Sequence, residues 1–123
     1  RRFDNGTPGT MAALASLPAL EWHARQDQAA LLAQNRRLTA RLIEAADDLG
    51  LPLLTPRDAA KRGGSIMLRL PDSHPAAEVV TSLRAQGITT DARSQTLRLS
   101  PGNLTTMAGV ETLIAALTGV LRA

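Results

Sequence analysis

The chain has 123 residues, a formal charge of +3 and an apolar fraction of 44%, which bounds it to one domain with a modest core. It contains no cysteine, so disulfides, thiolate metal ligands and a cysteine nucleophile are excluded, while the redox compartment stays open. No apolar run is long enough to span a bilayer, no signal peptide is legible, and the basic residues are dispersed with only two aromatics, Phe3 and Trp22. That pattern argues against a membrane or a nucleic acid as partner.

Residues 1–9, RRFDNGTPG, read as a Gly/Pro loop around Thr7. A Gly–Thr step offers a hydroxyl and free backbone N–H groups, a donor set suited to an oxyanion or a phosphate. The same run also reads as a plain turn ahead of a helix. Thr10 is the expected N-cap of a helix over 11–22, with a kink or break near Leu17 because Pro18 removes a backbone donor. From 24 to 49 the apolar residues Leu31, Leu38, Leu42, Ala45 and Leu49 recur at three- and four-residue spacing, which predicts one long amphipathic helix. Gly50 is its expected stop.

Residues 51–55 predict a short strand, and 56–64 a polar loop. Over 65–70 the alternation places Ile66, Leu68 and Leu70 on one face and Met67 and Arg69 on the other. Ser73 or His74 is expected to cap a helix that begins at Pro75 and ends near Gln86, before Gly87. Strands are predicted over 88–91 and 96–99, joined by a turn at 92–95, and a last helix over 105–121. The order helix, β, β, helix, β, β, helix predicts an α+β domain with a small, mainly antiparallel sheet and flanking helices.

Chemistry-bearing motifs are sparse. The Gly6–Gly9 run lacks the spacing and the lysine of a phosphate-binding P-loop. His23 and His74 stand alone, so no metal site is expected. Asp72-Ser73-His74 are adjacent and cannot converge as a triad must. Asp47, Asp48, Asp58 and Asp91 are scattered. No catalytic residue is assigned. Arg98 remains: Leu97 and Leu99 share one face of their strand, so Arg98 points to the other. A guanidinium there suits a bidentate carboxylate, or simply a solvated strand face. Arg69 holds the same position on its own strand.

Three segments together carry a resemblance: RFDNGTP (2–8), TPRDAAKRGGS (55–65) and GITTDAR followed by LRLSP (87–93, 97–101). In this order the chain resembles the C-terminal part of pyridoxal-phosphate enzymes of the class V aminotransferase superfamily, and within it the kynureninase-like group. The resemblance implies the small domain of a fold-type I enzyme. Residues 1–22 would be the loop and short helix closing the large domain. Residues 23–123 would be the small domain with its inter-domain helix. Gly6 and Thr7 would contact the cofactor phosphate of a neighbouring subunit in a homodimer, and Arg98 would bind the carboxylate of an amino-acid substrate. The Schiff-base lysine of such enzymes matches no position here; Lys61 does not align with it. The chain, which does not begin with methionine, is therefore expected to be an inactive piece of a cytoplasmic enzyme. A kynureninase-like hydrolase is the first reading. Class V aminotransferase, cysteine desulfurase or epimerase chemistry is the second, and a stand-alone α+β binding module the third.

Overall fold

A computed structural model describes residues 9–122. They divide into two compact units, one ending at Leu31 and the other beginning at Leu32.

In the first unit, helix α1 spans Thr10–Ala24. The cap position falls on Gly9, with no side-chain cap bond, and Thr10 is already the first helical residue. Of the kink or break expected near Leu17, the break does not occur; the helical run continues through Pro18. Proline removes one donor, and the turns on either side carry the run past that gap. No residue of α1 is buried.

Helix α2 spans Gln28–Asp48. Asp27 opens it, its Oδ1 accepting from the backbone N–H groups of Ala29 and Ala30 at 2.9 and 3.0 Å. Leu38, Leu42 and Ala45 of the predicted stripe are buried, together with Thr39, Ile43 and Ala46. Thr39 satisfies its hydroxyl by donating to the carbonyl of Asn35 at 2.9 Å. Gly50 ends the helix at φ +65°. Its N–H donates to Asp47 O at 3.0 Å and that of Leu51 to Ala46 O at 2.8 Å. This closure needs a left-handed residue, which glycine supplies without strain.

Strand β1 spans Ile66–Arg69, α3 spans Ala76–Ala85, β2 spans Asp91–Arg93, β3 spans Thr96–Leu99 and α4 spans Met107–Arg122. The sheet is antiparallel with order β1-β3-β2. The segment expected as a strand over 51–55 forms only a single bridge, Leu53 to Leu68. Proline at 52 has no N–H to donate, which limits how far the pairing can run. The helix after β1 starts at Ala76, one residue past Pro75, and neither Ser73 nor His74 caps it. Gln95 does so from the β2–β3 turn: its Oε1 accepts from Ala76 N–H at 3.0 Å while its Nε2 donates to Pro71 O at 3.0 Å. Ser73 instead bonds its hydroxyl to His74 Nδ1 at 2.9 Å.

The core lies between the inner face of the sheet and the helices of the second unit. Ile66, Leu68 and Leu70 from β1 and its exit, Leu97 and Leu99 from β3, Val79 and Leu83 from α3, Val110 and Leu117 from α4, and Leu38 and Leu42 from α2 are all buried in it. Arg41 of α2 clasps Glu111 of α4 at 2.6 and 3.0 Å across the outside.

Candidate functional site

The alternation that buries Leu97 and Leu99 turns Arg98 outward, onto the sheet face away from the core. Met67 and Arg69 of β1, Thr96 of β3, and Asp91 and Arg93 of β2 belong to the same face. Register sets their neighbours. Arg98 stands opposite Met67 on one side and Asp91 on the other, while Thr96 stands between Arg69 and Arg93.

Asp91 grips Arg98 by two bonds. Arg98 Nε donates to Oδ1 at 2.8 Å, and Nη2 donates to Oδ2. The hydrogen bond from Arg98 holds the Asp91 carboxyl below its ordinary value; desolvation opposes this, and the charges of Arg98 and Arg93 add to it. Arg69 makes a looser contact with Asp72 at 3.2 Å, both side chains being more than half exposed. Arg93 is exposed and has no carboxylate within ion-pair distance among the described residues. Met67, Asp91, Arg93, Thr96 and Arg98 line a recess of about 170 Å³ on this face.

The loop that leaves β3 is tied down. Asn35 Nδ2 donates to Pro101 O and to Gly64 O, each at 3.2 Å. The Ser65 and Ser100 hydroxyls meet at 2.9 Å. A Cβ on Gly64 would come within 3.1 Å of Asn35 Nδ2, so the glycine permits this close approach. The two motif segments around 64 and 100 are thereby joined through one side chain of α2. A larger cleft, about 430 Å³, runs from Gln86 to Thr90 and along the start of α4. No charged side chain lines it, so it offers no guanidinium or ammonium to pair with a carboxylate.

Gly6 and Thr7 lie outside the described residues. Lys61 is exposed in the 56–64 loop, 3.9 Å from Asp58. The described residues gather no group of three histidine or carboxylate side chains that could hold a metal ion. Asp91, one of the carboxylates that look scattered along the sequence, is the partner of the candidate site residue Arg98. Counting back from a two-residue turn at 94–95 would have set it opposite Arg98.

Residues 30–117 match the family model described as the kynureninase C-terminal domain. The chain belongs to that family. Solved structures share its fold. An apo cysteine desulfurase from Thermococcus onnurineus NA1 superposes with a TM-score of 0.85 at 22% identity, over 98% of this chain and 33% of that one. A NifS-like protein gives 0.69 at 15% identity, over 76% of this chain and 29% of its own. Lysine aminotransferase from M. tuberculosis gives 0.58 at 27% identity, over 75% and 21%. The chain thus spans about a third or less of these structures. No curated protein sequence matches it. Among the described residues no helix is long and apolar enough to cross a membrane.

The low Asp91 carboxyl has a counterpart. The hydrogen bond from Arg57 likewise holds Asp47 below the ordinary value of 3.8. A carboxyl lowered in the folded state stabilises it above the unfolded-state value and loses that contribution as pH falls through the folded-state one. The small contribution of these two exposed pairs should therefore be present down to about pH 4 and fade below it, which thermal melts from pH 6 to pH 3 follow. The double variant Asp47→Asn, Asp91→Asn should flatten that decline, and an unchanged acid limb would show that neither pair senses pH.

Proposed function

We propose that this chain is the small domain of a pyridoxal-phosphate enzyme that acts on an amino acid, and that Arg98 binds the substrate carboxylate. The observation that supports this reading is the state of Arg98. Its guanidinium already receives a carboxylate, that of Asp91, on the open face of the sheet. The donor set therefore suits the group proposed for it. Lys61, the only lysine, is an exposed loop residue paired with Asp58 and is not assigned to the cofactor. By the family resemblance Gly6 and Thr7 would supply the phosphate contact, and the Schiff-base lysine would lie outside these 123 residues. Residues 1–22 would then close the large domain and 23–123 would form the small domain, and the enzyme would be a cytoplasmic homodimer.

When bound, the cofactor supplies an electron sink for bond cleavage next to the amino carbon. The chain's own contribution is binding and orientation. Arg98 would fix the carboxylate, and Met67 beside it offers an apolar wall 41% exposed. Hydrolytic cleavage of a kynurenine-like side chain is the reading that follows the matched family. A transamination reading draws on the 27% identity to lysine aminotransferase. Product analysis of the complete enzyme separates them, since hydrolysis releases an acid from the side chain and transamination leaves a keto acid.

Thr7 tests the cofactor assignment. Loss of one hydrogen bond to a phosphate is worth roughly 1.5–3 kcal/mol, so Thr7→Ala in the complete enzyme should weaken cofactor retention about ten- to a hundredfold. Equilibrium dialysis against pyridoxal phosphate measures this, and unchanged retention would reduce the 1–9 loop to a turn.

A further inference from the structure

We propose that Asp91 is a positioning residue of the substrate-carboxylate subsite, gripping Arg98 by one edge and presenting the other edge to the substrate. This rests on the reading of Arg98 given above. A guanidinium carries five N–H donors in a plane. Its side edge consists of Nε and one Nη; its end edge consists of the two Nη groups. Either edge can take a carboxylate in bidentate fashion.

Asp91 occupies the side edge, through Nε to Oδ1 and Nη2 to Oδ2. The end edge has no acceptor among the described residues. Arg98 can therefore hold a second carboxylate while Asp91 stays in place. The strand pairing explains why Asp91 can do this before any ligand arrives. Asp91 and Arg98 are direct cross-strand partners, and Asp91 has a short side chain with few rotamers. The long Arg98 side chain loses its rotamer freedom to Asp91 in advance, so that cost does not fall on ligand binding.

Charge supports the same arrangement. Asp91 and Arg98 cancel as a pair, which alone would leave a neutral site. Arg93, two residues along β2 and on the same face, lines the recess with them. The recess thus keeps a net positive charge, and an incoming anion meets an attractive field.

The holoenzyme is titrated with L-alanine and with ethylamine, which lacks the carboxylate, and binding is read from the visible absorbance of the bound cofactor. Asp91→Ala should weaken L-alanine about tenfold and leave ethylamine unchanged. Asp91→Glu should restore part of the loss, and Asp91→Asn, which retains one acceptor oxygen and serves if the alanine variant fails to fold, should lie between. In an Arg98→Ala background Asp91→Ala should add nothing further. Unchanged or tighter L-alanine binding in Asp91→Ala would overturn the proposal and make Asp91 a bystander or a competitor for Arg98. Equal weakening of both ligands would overturn it in favour of a structural role. If Arg98→Ala itself leaves L-alanine unaffected, or the wild type does not prefer L-alanine to ethylamine, the reading of Arg98 fails as well.

Discussion

Arg98→Lys in the complete enzyme should lower kcat/KM for the amino-acid substrate on the order of a hundredfold. Lysine keeps the positive charge and can still pair with Asp91. It cannot take both Asp91 and a substrate carboxylate in bidentate fashion, because an ammonium has no planar fork. The control is Arg69→Lys. Arg69 lies on the same sheet face, in register with Thr96, but its contact with Asp72 is a single exposed pair at 3.2 Å. Exposed pairs of this kind contribute little, and the substitution should be nearly silent. Neither side chain fills the core, so melting temperatures should barely move. Steady-state kinetics on both variants, with thermal melts alongside, reads the difference. Equal and small kinetic effects would remove Arg98 from the site.

The second large effect concerns stability. Leu97→Ala should destabilise the fold by about 2–5 kcal/mol. Leu97 is fully buried at the middle of the sheet, where β3 pairs with both β1 and β2. No strand neighbour can move in to fill the space without breaking a ladder. Leu104→Ala is the comparison, because Leu104 is 92% exposed and surface changes stay within about 0.5 kcal/mol. The midpoint of urea unfolding measures both. The same Leu97 change should also loosen the Arg98 subsite, since Leu97 and Leu99 anchor the strand that carries it. Similar midpoints for the two variants would place the core elsewhere.

The turn between β2 and β3 shows where the chain could be read and where it could not. Alternation correctly separated Leu97 and Leu99 from Arg98, and Ile66 and Leu68 from Met67 and Arg69, because a buried sheet face leaves a period of two in the sequence. A turn over 92–95, as the sequence suggests, differs in register from the one the strands form. The turn is Ser94-Gln95, with Ser94 at φ +50°, and serine gives a weak signal for a left-handed position. A shift of that size hides every cross-strand partner, which is why Asp91 read as one more scattered carboxylate. The N-terminus of α3 was hidden for a related reason: its capping group, Gln95, lies 19 residues away. Local capping rules search only nearby side chains.

The sequence by itself determined the order and faces of most elements, the stops at Gly50 and Gly87, and the family. These follow from local propensities, hydrophobic period and motif order, all of which are written along the chain. Only the tertiary structure decided that Asp91 grips Arg98, that Asn35 joins the Gly64 and Pro101 loops, and that the segment before β1 forms a single bridge instead of a strand. Each of these depends on which residues distant in the chain are brought within hydrogen-bond reach. Such distances are set by strand register and helix packing, which local sequence signals do not encode.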